Sequence, residues 1–419
     1  MLDRKLSPKF VQDRSLEIVK PEIQVLNSGR KVIIVNGGDQ EVIKIELIFE
    51  AGRWHEPHRG VSHFMSTLLQ KGTKKYNSFQ IDNRFEYYGV HLEIQPGFDY
   101  TSVALYGLSK NIPFVLDLLL DVLVNPNFPE QELQQAKTIY KQGLKINLEK
   151  TSYIASREFR KNIFGENHPY GSDIELSDID SIEQNHLVEF HQKYFSPHCI
   201  ILSGKIDVPT IELIISTFNN LELKVVNSPN HYSSPSATRY LHIDKANSVQ
   251  TSIRMGHKSL TRSDLNYPEL LLFNHILGGY FGSRLMKNIR EEKGLTYGIH
   301  SSIQILKKDS YFVIGADVNI ENKELTISEI KNELNELKDN VISQEELEIA
   351  RNHFVGSLQS ELNTPFAHAD KIKVITLFDL PENFYSELVK RLFDVNAYQL
   401  LEFANDNFSE EELHIISVG

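Results

Sequence analysis

The chain has a single cysteine, Cys199, in 419 residues. A disulfide framework and a zinc site built on several thiolates are therefore excluded. An excess of positive charge is also missing: 44 Lys and Arg stand against 56 Asp and Glu, for a formal net charge of −12. General nucleic-acid binding needs a basic footprint and is not expected. No apolar run reaches the roughly 18 residues of a membrane-spanning helix. The richest stretch, residues 115–124, is broken by Asp117 and Asp121. The opening Met-Leu-Asp-Arg-Lys-Leu-Ser-Pro holds no apolar signal core, so the expectation is a cytoplasmic protein without a membrane partner.

What is present is ordinary globular composition, 41% apolar and 24% charged. At roughly 150 residues per domain, the length suggests about three domains or two large ones. A Pro- and Ser-rich polar stretch at residues 227–238 has linker character and lies near the middle. It divides the chain into 1–226 and 239–419.

The two parts share a plan. Glu132-Leu-Gln-Gln-Ala-Lys137 is similar to Glu346-Leu-Glu-Ile-Ala-Arg351, 214 residues later. Each opens a long helical pattern, the second with Ser343 and Glu346 spaced for a capping box. His198-Cys-Ile-Ile-Leu-Ser-Gly204 pairs with His414-Ile-Ile-Ser-Val-Gly419, and both read as short buried strands. Asp99-Tyr-Thr-Ser-Val-Ala-Leu pairs with Asp309-Ser-Tyr-Phe-Val-Ile-Gly. Agreement in order and offset points to a duplication. Ile43, Ile45, Leu47 and Phe49 alternate with Lys44 and Glu46, as on a sheet with one covered face. Pro268 suits a first helical turn, and the apolar run after it stops at Gly278-Gly279. The fold class is α+β: two duplicated halves, each a mixed or antiparallel sheet with helices on one face.

Two segments carry chemistry. One is Gly60-Val-Ser-His-Phe-Met-Ser-Thr67, followed by Leu-Leu-Gln-Lys-Gly-Thr73. The other is Leu277-Gly-Gly-Tyr-Phe-Gly-Ser-Arg-Leu285, continuing to Arg290-Glu-Glu-Lys-Gly-Leu-Thr-Tyr297. Together they resemble the two signature regions of the insulinase/pitrilysin (inverzincin) zinc metallopeptidases. His168-Pro-Tyr-Gly171 and the segment Phe190-His-Gln-Lys-Tyr-Phe195 extend the likeness over nearly the whole chain. The resemblance implies one clamshell half made of two duplicated α+β units. Active members carry H-x-x-E-H on a helix, with two His ligands one turn apart and a Glu that activates the zinc-bound water. A further Glu about 75 residues on completes an open zinc site.

Here the pattern departs. His63 is kept, Ser66 stands at the base, Thr67 at the second ligand, and the downstream position falls on Gln142, 75 residues beyond Thr67. Ser66 is no carboxylate base, and Thr67 and Gln142 are poor zinc ligands. This chain is expected to bind no metal. His63 then reads as a hydrogen-bonded helix residue beneath Phe64, His55 and His58 as surface residues of a Pro- and Gly-containing turn, and Cys199 as a core residue.

The second segment is intact. In the family an Arg and a Tyr seven residues apart point into the cleft from the zinc-free half, which assigns Arg290 and Tyr297 to substrate binding and to charge on the scissile carbonyl. Without the family, Arg290 beside Glu291 and Glu292 reads as a surface ion pair and Tyr297 as a half-buried strand residue. Gly278, Gly279 and Gly282 lack the Lys-Ser/Thr of a phosphate loop and read as a turn between helices.

The resemblance implies the zinc-less subunit of a heterodimeric zinc endopeptidase. A homologous subunit would hold the zinc, and peptide would lie extended along a sheet edge. A closed homodimer is the assembly expected when the partner is absent. Two rivals are a non-enzymatic scaffold or peptide-binding protein of the same fold, and a self-sufficient metallopeptidase using His63 with His55 or His58.

Overall fold

The computed structural model describes residues 15–219 and 238–419. The proposed linker therefore lies, apart from Thr238, outside the described residues.

Two sheets account for the strands. The first contains β1 (Glu22–Val25), β2 (Lys31–Asn36), β3 (Val42–Phe49), β4 (His91–Pro96), β5 (Thr101–Leu108) and β6 (Pro197–Gly204), in the order β1-β2-β6-β3-β5-β4. The second contains β7 (Tyr240–Ile243), β8 (Gln250–Lys258), β9 (Thr296–Ile305), β10 (Ser310–Asn319) and β11 (His414–Val418), in the order β7-β11-β8-β10-β9. Apart from β1 the orders correspond. Each sheet has one parallel pair, β2 with β6 and β7 with β11, and the remaining pairs are antiparallel. The sequence repeats fall on matching elements. The Glu132 and Glu346 motifs open the helices Glu130–Asn147 and Gln344–Glu361, each of 18 residues. The His198 and His414 motifs form β6 and β11, and the Asp99 and Asp309 motifs lead into β5 and β10.

Each half lays its own helices on one face. Ile45, Leu47 and Val103 of the first sheet pack against Phe64, Leu119 and Leu187. Met255, Phe312 and Ile314 of the second pack against Phe273, Ile330 and Leu347. The opposite faces are covered by exchange. The helix Pro365–Leu377 of the second half sets Ala369 and Ile372 against Ile33, Ile48, Cys199 and Ile201. The helix Thr151–Phe164 of the first half sets Phe159 and Phe164 against Tyr311, Val313 and Ile416.

That exchange corrects the reading of β3. Lys44 and Glu46 are 7% and 4% exposed, so both faces of this strand are covered. Lys44 Nζ lies 2.7 Å from Glu46 Oε2, and Lys373 of the incoming helix reaches Glu46 Oε1 at 2.9 Å. The alternation looked half-exposed because the helix that covers this face brings Lys373 from 327 residues beyond Glu46. Cys199 lies in the same apolar layer, where burial pushes its thiol up to about 12.

The Ser343 cap forms in part. Its hydroxyl accepts from the Glu346 N–H at 3.1 Å, but the Glu346 carboxylate is taken by Arg284, with two contacts of 2.8 Å. Pro268 does sit in the first turn of its helix, Tyr267–Asn274.

Candidate functional site

His63 stands on the short helix Val61–Leu68, whose N-terminus begins at Gly60 with φ 92°. The Glu56 carboxylate caps this end, accepting from the Gly60 and Ser62 N–H groups at 3.1 and 2.9 Å and from the Ser62 hydroxyl. Burial pushes the Glu56 carboxyl above its ordinary range. The His63 ring packs 4.6 Å from Tyr140 and edge-on to Phe64 at 5.3 Å. Burial first, then the Arg53 charge, lowers the imidazole to about 4, so it is neutral at physiological pH. The structure gives the His63 ring aromatic contacts rather than the hydrogen bond expected for it.

The neighbouring positions do not converge. Ser66 is 1% exposed and points inward, 3.5 Å from the Thr101 hydroxyl, which itself donates to the Ala51 carbonyl at 2.8 Å. The Thr67 hydroxyl donates back to the His63 carbonyl at 2.9 Å. His63 and Thr67 line a groove of about 520 Å³ together with Tyr140, Ile139, Gly143 and Tyr153. Gln142 is exposed on the same helix and is not part of that lining. Helical geometry explains this: Tyr140 and Gly143 share a face, while position 142 is turned some 200° from position 140. A smaller cavity of about 130 Å³ lies on the other side of His63, with Arg53 and Glu56.

Zinc fits these residues poorly. A buried hydroxyl, a back-bonded hydroxyl and a tyrosine ring stand around one neutral imidazole, and zinc needs at least three anionic or imidazole donors. Among the described residues no group of three or more His, Cys, Asp or Glu gathers to hold a metal. His55 and His58 do not assist. His55 lies in the turn Arg53–His55 and is buried at 6% exposure against Tyr194, contrary to the surface position expected for it. His58 is exposed and stacks on His186 at 4.2 Å.

The second site is built on two backbone irregularities. Arg290 lies in the π-helical turn Met286–Glu292, a deformation that recurs at functional sites. Tyr297 lies at the start of β9, where Thr296 faces Val318 and Ile299 faces Ala316. Tyr297 and Gly298 thus oppose Asp317 alone, forming a β-bulge of the kind that re-aims a side chain. The Thr296 hydroxyl fixes the bulge by donating to the Asp317 carbonyl at 2.7 Å. Gly294, with φ 60°, makes the turn between the two elements. Gly278 allows close packing, since a Cβ there would stand 2.7 Å from the Ser301 amide nitrogen on β9.

These devices bring three side chains together. The Arg290 guanidinium sits 5.0 Å from the Tyr297 ring centre and 5.1 Å from that of Phe281. Tyr297 is 90% exposed and Phe281 62%. No ion pair or hydrogen bond engages Arg290 among the described residues, so neither the surface ion pair nor the half-buried tyrosine describes this region. Phe281 was not singled out from the sequence. Its signal was an aromatic residue in a glycine-rich turn seven residues C-terminal to Asn274, with no periodic apolar role. The Arg290 cluster shares no lining residue with either cavity at His63. A larger cavity of about 800 Å³, between residues 16–21 and 379–386, holds none of the residues of either site.

Two duplicated sheets with exchanged helices, one altered H-x-x-E-H segment and one intact Arg/Tyr segment define the class. The family profile described as insulinase (peptidase family M16) matches residues 31–172, and that described as the peptidase M16 inactive domain matches residues 181–354. The chain belongs to the insulinase (M16) family. A Bacillus subtilis protein described as an uncharacterized zinc protease, YmxG, is 23% identical over 390 residues, covering 92% of this chain and 95% of that one. A Helicobacter pylori protein described as a non-peptidase homolog is 23% identical over 366 residues, covering 82% and 81%. The crystal structure of a peptidase M16 inactive domain from Pseudomonas fluorescens superposes with a TM-score of 0.88 at 24% identity, covering 96% and 98%. No helix among the described residues is long and apolar enough to cross a membrane.

Proposed function

We propose that the chain is the zinc-less subunit of a heterodimeric zinc endopeptidase. A homologous partner supplies the zinc and the carboxylate base. This chain supplies Arg290, Tyr297 and one wall of the peptide cavity. The observation that carries the reading is the state of Arg290: a guanidinium with no ion pair among the described residues, 5.0 Å from the centre of the exposed Tyr297 ring. An unpaired cation and an exposed phenol are pre-set donors for a developing oxyanion. A scaffold has no physical need of them. The altered His63 segment supports a reading in which another chain holds the metal. The name non-peptidase homolog, carried by the Helicobacter pylori relative, fits a family in which some chains have lost this chemistry.

The test mixes the chain with a zinc-bearing homologue from the same organism and follows peptide hydrolysis. Hydrolysis is expected from the mixture, not from this chain alone, and a chelator should abolish it. Arg290→Ala should lower kcat more than it weakens peptide binding, with assembly unchanged. A partner equally active alone, or a mixture indifferent to Arg290→Ala, sinks the reading. The second outcome leaves a non-enzymatic peptide-binding protein, a role that the position of β9 at the end of its sheet favours among the described residues.

A further inference from the structure

The guanidinium carbon of Arg290 lies over two aromatic rings, 5.1 Å from the centre of Phe281 and 5.0 Å from that of Tyr297, and no ion pair or hydrogen bond engages its N–H groups among the described residues. A cation over an aromatic ring is held by the ring's charge distribution without using its N–H groups. Those N–H groups form a fork that matches a carboxylate with two parallel hydrogen bonds. The acidic residues nearby are committed elsewhere. Glu346 holds Arg284, and Glu329 holds Lys293 and Asn288. Glu291 and Glu292 adjoin Arg290 in sequence, yet neither pairs with it among the described residues.

Phe281 needs an explanation of its own. A phenylalanine 62% exposed in a tight glycine turn gains little from burial. Its contact with Arg290, at 5.1 Å, gives it a purpose, since a ring there limits where the guanidinium can go. Beside the cluster, β9 is the outermost strand of its sheet, paired to β10 alone, and Tyr297, Gly298 and His300 are exposed along it. Such an edge accepts an extended chain through backbone hydrogen bonds. Arg290 stands where β9 begins, so an antiparallel peptide on that edge would bring its C-terminal part to the fork.

We propose that Phe281, Arg290 and Tyr297 form a carboxylate-binding site for a peptide laid along the β9 edge, with Phe281 as the positioning residue that holds the fork edge-outward. This rests on the reading that Arg290 and Tyr297 face peptide, and it adds the ligand chemistry. The carboxylate is either the peptide's C-terminus or an Asp or Glu side chain.

The experiment uses the full chain without a partner. A fluorescent peptide of Val, Thr and Ser carrying one Asp near a free C-terminus is titrated by anisotropy, beside its C-terminally amidated form and its Asp-to-Asn form. Loss of one carboxylate is expected to weaken binding by about tenfold or more. Weakening confined to the amidated peptide assigns the terminal carboxylate, and weakening confined to the Asn peptide assigns the side chain. Arg290→Lys, which keeps the charge and loses the fork, should remove that preference. Phe281→Leu should weaken binding by about threefold, and Phe281→Tyr should restore it. Equal affinity for all three peptides, or an unchanged preference in Arg290→Lys, overturns the site. Wild-type binding by Phe281→Leu overturns the role of Phe281. If the carboxylate preference is absent while Arg290→Ala still halts turnover with the zinc-bearing partner, this inference fails and the peptidase reading stands. If the preference is present while turnover ignores Arg290→Ala, the reverse holds.

Discussion

His63 and Arg290 each lie on a helical segment packed against the last strand of its sheet, β4 in one half and β9 in the other. Around His63, burial makes the ring neutral, Tyr140 closes over it, and Ser66 turns into the core beneath Thr101. Around Arg290 the backbone is irregular, the rings are exposed, and the cation has no acidic partner among the described residues. Duplicated scaffolds thus hold one site that has settled into packing and one kept open at a cost in exposed aromatic surface. The contrast lies in local packing, although a groove of about 520 Å³ remains beside His63 and Thr67. In the first half the Thr67 hydroxyl bonds back to the His63 carbonyl and Ser66 is buried. The second half left its donors unsatisfied, which is the condition for acting on something else.

Four variants probe that contrast. The largest effect is expected from Arg290→Ala in the assembled peptidase, where kcat should fall by about 10²–10³, or about 2.7–4 kcal/mol, in a single-turnover assay. Next is Ser66→Glu with Thr67→His, which rebuilds the motif in sequence. Position 66 is 1% exposed, so a carboxylate there should cost about 2–3 kcal/mol in urea unfolding. With Gln142 outside the groove, zinc by elemental analysis should stay well below one per chain. One tightly bound zinc would show that the first half is still a site. His63→Phe is third. Burial holds the folded imidazole down at about 4, well below the ordinary histidine range. Its neutral form therefore contributes stability that is present above the unfolded pKa and is lost as pH falls through the folded one. The wild type should lose about 1–2 kcal/mol from this group between those values. His63→Phe should flatten that part of the unfolding profile. The smallest effect belongs to Tyr297→Phe, which should change stability by less than about 0.5 kcal/mol, because the ring is 90% exposed. A larger loss would show that the phenol serves the fold rather than a ligand.

Much of this was legible in the residues. The duplication could be read because both halves need the same buried strands, β6 and β11, and the same long helices, and burial constrains residue type at matching positions. Arg290 and Tyr297 could be named only through the resemblance of one segment to a family, and the structure sets the guanidinium 5.0 Å from the ring centre. Gln142 shows the limit. Counting residues reached the right helix, but only the helix's rotation decided that Tyr140 and Gly143, not Gln142, face His63. His55 shows the same limit, since a Pro- and Gly-bearing turn looks exposed until Tyr194 packs over it.

By itself, the sequence determined the α+β class, the repeat, the altered H-x-x-E-H segment and the intact Arg/Tyr segment. Each is a matter of residue type at short spacing, where local periodicity and side-chain chemistry suffice. Only the tertiary structure decided that the halves exchange helices, that Lys44 and Glu46 are buried under Lys373, and that Phe281 completes the stack on Arg290. Those contacts join residues distant in the chain or held by a single turn's geometry. Their energy comes from pairing and burial that exist only once the chain has closed on itself.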